Sequence, residues 1–323
     1  MPNARGKLLL GAALIAAILA LPAIAGASSR PQPPSAAAFE RATRDALATG
    51  AFDRGPAPRS GGIGTGSGSG RGGLFPGKRL LALYGAPQLT GTILGKRGPR
   101  AAARKAVKQA KPYARIGDRR VIPGFDLIAV VANSTPGPDR KYRTRQPDKL
   151  IRTYLRAARS IGGRLVLDIQ PGRAKVGDEI AALEKWIDEP DVDVSIDPEW
   201  AVGPHGVPGR DAGKLEAKEV NAISRRLQRI VDAGDLPPKA LVIHQFHDGS
   251  VRGRGDIVQR SDVDVTLNFD GIGSPAAKKA GYRALSRRSL FNGFSIFYSL
   301  DTEVMSPRSV LGLEPEVDFL LFQ

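Results

Sequence analysis

Between residues 80 and 323 the chain repeats one unit: a short apolar run, then a longer connection. The runs occupy residues 80–85, 125–133, 164–170, 192–200, 240–246, 263–273, 293–301 and 317–323. Helical periodicity fills most of the connections, at 101–111, 147–159, 176–186, 212–233, 275–288 and 306–312. Pro112 is expected to end the first of these helices, and Pro307 to open the last at its N1 position. The connection after the fifth run holds only one helical turn, near 255–260. Eight strands joined by seven mostly helical crossovers match the size and rhythm of a somewhat irregular α/β TIM-type (β/α)8 barrel. The eighth strand is expected to close against the first. An open doubly wound sheet is the alternative, but no glycine fingerprint follows the first run.

The fourth run, VDVSIDPEW at 192–200, shows why such a barrel would matter. Alternation places Asp193, Ser195, Asp197 and Glu199 on one side, with Val194 and Ile196 on the other. The third run does the same with Val166, Asp168 and Gln170. Polar residues end nearly every run: Tyr84, Asn133, Asp168 and Gln170, Asp197 with Glu199 and Trp200, His244 and Gln245, Asn268 and Asp270, Tyr298 and Asp301, Gln323. In a barrel those ends converge on one mouth.

Paired carboxyls beside aromatic residues suit glycosidic bond cleavage, which needs one carboxylic acid and one carboxylate. The expected acid is Glu199, beside the apolar wall of Trp200, with Asp197, Asp168 and Asp270 as candidates for the second carboxylate or its orienting partner. The expected ligand-binding set is Tyr84, Gln170, Trp200, His244, Gln245, Asn268, Tyr298 and Asp301. Trp200 and Tyr84 would stack on a sugar ring. The opposing reading gives these carboxylates to helix N-termini or to Arg173 and Arg210 as structural partners. His244 and His247, with Asp248 and Asp270, form a weaker pattern for a divalent ion. Strict alternation parts the two histidines, and no metal or cofactor is expected. There is no G-x-S-x-G elbow, and with no cysteine there is no thiol nucleophile and no thiolate site.

The flanking regions point to the cell envelope. Residues 1–27 read as a signal peptide, with Arg5 and Lys7 before an apolar run and Ala-x-Ala sites at its end. Left uncleaved, residues 8–27 would tether the chain to a membrane. Residues 28–77 are a Gly-, Ser- and Pro-rich linker expected to be disordered, and 78–323 form the barrel. The net charge of +16 is uneven: residues 79–160 carry 19 Lys/Arg against 4 Asp/Glu, and 161–323 carry 20 against 25. Outside the cell a basic first third would meet an anionic envelope polymer. The basic run lacks interleaved aromatics and any nucleic-acid-binding motif, so no nucleic acid partner is expected, and the chain is read as a monomer.

The phrases LALYG (81–85), LDIQPGR (167–173), DPEW (197–200), EVNAISRRL (219–227), HQF (244–246) and DGIG (270–273) resemble a family of uncharacterised secreted or lipid-anchored proteins of actinomycete-type bacteria. The likeness spans about 79–323 and implies a secreted or envelope-associated location, although no cysteine here can carry a lipid. A looser resemblance runs to the chitinase-type glycosidase barrels, whose fourth strand ends D-x-x-D-x-D-x-E. It implies a catalytic-acid role for Glu199 and the preceding aspartate role for Asp197, with Ser195 standing where that pattern has another aspartate. Two functions are therefore expected to compete. One is a secreted glycoside hydrolase acting on an envelope or extracellular polysaccharide; the other is a non-catalytic glycan-binding barrel at the cell surface.

Overall fold

Alternation along the apolar runs does build a closed barrel. The computed structural model describes residues 73–323. Its strands are β1 (Lys78–Gly85), β2 (Arg120–Ala132), β3 (Arg164–Ile169), β4 (Val192–Ile196), β5 (Lys239–Gln245), β6 (Val263–Phe269), β7 (Phe291–Ile296) and β8 (Phe319–Phe322). All eight run parallel in sequence order, and β1 pairs with both β2 and β8, so the sheet has no barrel edge. Besides one turn of helix at Ile93–Lys96, the helices are α1 (Pro99–Ile116), α2 (Asp148–Arg159), α3 (Val176–Ile187), α4 (Ala217–Gly234), α5 (Pro275–Leu285) and α6 (Pro307–Leu311). This is the TIM-type (β/α)8 architecture. The expected signal segment, and the linker as far as residue 72, lie outside the described residues.

The two faces of the strands do different work. Leu81, Leu83, Phe125, Leu127, Leu165, Leu167, Val194, Ile196, Leu241 and Ile243 point outward into one apolar layer with Tyr154 of α2, Leu183 of α3 and Leu227 of α4. Burying a side chain of that size stabilises the fold by roughly 1.5–3 kcal/mol, so this layer carries most of the apolar gain. The inward face is mixed. Leu80, Ala82, Ile122, Val166, Ala240, Val242, Phe319 and Leu321 fill it with apolar atoms, while charged groups occupy both ends.

At the N-terminal end Leu74 and Phe75 plug the barrel, although the composition of 28–77 assigns them to the linker. The Phe75 ring lies 5.4 Å from that of Phe291, and its backbone N–H donates to Asp264 Oδ2 at 2.8 Å. Beside them Arg164 forks onto Asp193 with bonds of 2.5 and 2.8 Å, and the Ala240 N–H adds a third donor to that carboxylate. Without the fork, Asp193 would be an uncompensated buried charge.

Three departures from the sequence pattern have local causes. Helix α1 continues through Pro112 to Ile116, because Tyr113 is buried and packs edge-on against Phe322, anchoring the turn that proline weakens. Helix α4 begins at Ala217 rather than 212, since Leu215–Glu216 forms a short strand paired with Val251–Arg252. A third short strand, Arg143–Arg145, returns antiparallel along β2. Buried Glu179 of α3 pins it by bonding Arg143 Nε at 2.8 Å and Arg145 Nε at 2.7 Å. Gly172 of the QPGR turn has φ +60°, and a Cβ there would stand 2.4 Å from the Lys141 carbonyl at the tip of this excursion. No helix among the described residues is long and apolar enough to cross a membrane.

Candidate functional site

The C-terminal half of the barrel holds a connected polar cluster built from seven strands. Inward positions of β1 to β7 deliver Tyr84, Asp126, Asp168, Ser195, His244, Asn268 and Ser295, all buried. Asp197, Glu199, Gln170 and Asp270 follow directly on strand ends. The bonds run around the barrel. Gln170 accepts from the Ala132 N–H at 3.1 Å and donates to the Tyr84 hydroxyl at 3.2 Å; Tyr84 in turn donates to Asp168 Oδ2 at 3.2 Å. Ser195 Oγ lies 2.7 Å from Asp126 Oδ1 and 3.3 Å from Asp168 Oδ1.

His244 sits at the centre. Its Nδ1 is 2.7 Å from Asp270 Oδ2, while Nε2 faces Asp126 Oδ2 at 3.5 Å and Asp168 Oδ1 at 4.0 Å. Asn268 donates to Asp270 Oδ1 at 2.7 Å and to Ser295 Oγ at 2.9 Å. Gly293 makes room for that amide, since a Cβ there would fall 2.4 Å from Asn268 Oδ1. Burial pulls the His244 pKa down, but Asp270, Asp126 and Asp168 outweigh it and leave the imidazole well above its ordinary value. Burial pushes Asp126 up, and pushes Asp168 well up with the Asp126 charge added.

Asp197 and Glu199 form the outermost part. Pro198–Trp200 is a single 3-10 turn capped by Asp197, whose Oδ1 accepts from the Glu199 N–H at 3.2 Å. This turn replaces the expected extended strand and swings Glu199 toward the segment after β5. There Glu199 Oε1 accepts from Ser250 Oγ at 3.1 Å and lies 3.7 Å from His247 Nε2, while Oε2 has no hydrogen-bond partner. Burial raises Asp197 to about 6, and burial together with the Asp197 charge raises Glu199 well above the usual carboxylate range. Exposures of 7% for Asp197, 5% for Glu199 and 7% for Asp270 leave all three nearly buried, past the C-terminal ends of the strands.

The structure thus brings together Tyr84, Asp168, Gln170, Asp197, Glu199, Trp200, His244, Asn268 and Asp270. The other three expected ligand-binding residues stand apart. Gln245 follows inward-facing His244, so its side chain points outward and donates to the Leu285 carbonyl at 3.1 Å. Tyr298 lies beyond the end of β7; it is 40% exposed, donates to Gln109 of α1 at 2.7 Å and stacks near Phe322. Asp301 is paired with buried Lys278 at 2.6 Å. Nor does the H-x-x-H pattern form one site, since His247 turns to Glu199 and Asp248 is held by Arg254.

Asp126, Ser195, Ser250 and Ser295 belong to the cluster and were absent from the expected set. Asp126 was visible in principle: an aspartate between Phe125 and Leu127 is a charge inside a strand that is otherwise apolar. No protein-family model matches the chain, and no curated protein matches it.

Proposed function

We propose that the barrel is a glycoside hydrolase, with Glu199 as general acid and Asp197 as its carboxylate partner, acting on an envelope or extracellular polysaccharide. The observation that carries this reading is the state of Glu199. Burial and the Asp197 charge push its carboxyl well above the usual carboxylate range, Ser250 fixes Oε1, and Oε2 is left without a hydrogen-bond partner among the described residues. A proton donor for a leaving oxygen needs those three properties. Asp197, raised only to about 6, is mostly ionised at neutral pH, so the two neighbours divide into acid and base. Among the described residues no arginine or lysine is bonded to either carboxyl, which separates them from Asp193 and Glu179, each held by arginine. Trp200 and Tyr84 line the same interior as apolar surface for a sugar ring. Asp270 and Asp168 hold His244 and stand behind the pair as orienting groups.

The test is product release from a panel of bacterial wall and plant polysaccharides by the full chain and by its Glu199→Gln form. The substitution should lower the rate about 10²- to 10⁴-fold, the range of a general acid. Activity should also fall as pH drops through about 6, where Asp197 takes up its proton. If the folded protein releases nothing from any glycan in the panel, the reading is wrong.

A further inference from the structure

Beneath the Asp197–Glu199 pair, Asp126 of β2, Asp168 of β3 and His244 of β5 present one oxygen or nitrogen each, all within 4.8 Å of one another. We propose that these three side chains are the protein ligands of a first-row divalent metal ion. His244 Nε2 and Asp126 Oδ2 face each other across 3.5 Å, long for a hydrogen bond, and neither has another partner among the described residues, on side chains 3% and 0% exposed. A buried donor or acceptor without a good partner is costly, and here two aim at the same point. A bound cation removes both costs at once.

The geometry is close to that of an assembled centre. Nitrogen and oxygen ligands sit about 2.0–2.2 Å from zinc, so adjacent ligands lie roughly 3.0–3.6 Å apart around tetrahedral or octahedral ions. The 3.5 Å separation from His244 Nε2 to Asp126 already lies within that range, and the 4.0 Å separation to Asp168 needs about 0.4–1.0 Å of contraction. The surrounding shell is also in place. Asp270 binds His244 Nδ1 at 2.7 Å, which fixes the tautomer that leaves Nε2 free as a ligand. Tyr84 and Ser195 hold the remaining oxygens of Asp168 and Asp126 by hydrogen bonds. Asn268 and Ser295 then secure Asp270.

Charge argues the same way. The barrel interior collects the carboxyls of Asp126, Asp168 and Asp270 around a single imidazole, with Asp197 and Glu199 just above. A divalent ion neutralises two of them where solvent does not reach. Two carboxylate oxygens with one imidazole nitrogen suit zinc, manganese, iron(II) or cobalt(II), and disfavour soft copper(I). The competing occupant of Nε2 is a proton, which would make His244 an imidazolium held between Asp270 and Asp126.

The full chain should be produced in medium supplemented with Zn²⁺ or Mn²⁺, dialysed into metal-free buffer and assayed for metal by plasma mass spectrometry. About one ion per chain is expected in the wild type and in Glu199→Gln. At least a tenfold loss is expected in Asp126→Asn and His244→Gln, with circular dichroism confirming that the variants fold. A Co²⁺-loaded wild type gives a readout free of any variant: visible bands of a nitrogen- and oxygen-ligated site that Zn²⁺ displaces. Folded wild-type protein that retains none of these metals, or that retains them equally in both ligand variants, would overturn the assignment. Because metal content is measured without substrate, its failure is separate from failure of the hydrolase reading.

Discussion

Replacing Asp264 with asparagine should stabilise this protein at neutral pH and leave it unchanged near pH 4. Asp264 faces into the N-terminal end of the barrel at 3% exposure, accepts from the Phe75 N–H, and lies near Asp193 and Asp318. Burial raises its pKa from 3.8 to about 7, although the Phe75 and Leu74 backbone amides pull the other way. Below pH 3.8 the carboxyl is protonated in both folded and unfolded chains and has no pH-dependent effect. Between 3.8 and 7 the unfolded chain releases the proton while the folded chain keeps it, so stability falls as pH rises. At 1.36 kcal/mol per pH unit the accumulated loss is roughly 4 kcal/mol, level above pH 7. Asparagine keeps an acceptor for the Phe75 amide and does not titrate. Its advantage over the wild type should therefore grow from near zero at pH 4 to about 2–4 kcal/mol at pH 8. Urea unfolding of both proteins at half-unit steps measures the difference directly, and every other titrating group cancels. A difference that does not change with pH, or a variant less stable at pH 8, would refute the argument.

Three further outcomes are expected. Glu179→Ala takes the carboxylate from Arg145 and leaves Arg143 with Asp139 alone, and should cost about 3 kcal/mol in thermal unfolding, with proteolysis appearing first in residues 133–147. Ser250→Ala removes the hydrogen bond that favours the ionised Glu199, so its pKa rises further. The alkaline limb of any pH–rate profile should then move to higher pH, and a downward move would contradict the role of the protonated form. Gly281→Ala adds a methyl 2.5 Å from Phe269 Cζ in a ring cluster with Tyr282 and Phe294. The clash, worth about 1–3 kcal/mol, should outweigh the usual helical gain of roughly 0.5–1 kcal/mol, giving a lower urea midpoint.

The strand order was legible because each strand carries its own apolar outer face, and a run such as RLVLDI needs no distant partner to be recognised. Inside the strands, alternation also placed Asp168, His244 and Asn268 correctly. It failed where a strand ends. Pro198 turns the chain after Asp197, and Glu199 meets Ser250 through a bend that no period encodes. Past Ile296 the chain folds over so that Tyr298 rests on α1. Gln245 shows the reverse error: sharing a strand end with inward His244 requires it to face out. The pairing of Leu215–Glu216 with Val251–Arg252 depends on two loops meeting in space, so neither two-residue segment announces itself.

The plug at Leu74 and Phe75 fixes the end of the barrel at which the preceding chain arrives. Residue 73 lies against Asp264 at the start of β6, and Glu199 lies past the end of β4, roughly 20 Å away along tilted strands. Whatever grips the first 72 residues therefore holds the barrel by its floor. A resin, a fused partner or a surface attached through those residues joins the barrel at the end opposite Glu199, so the connection itself does not cross the acidic end.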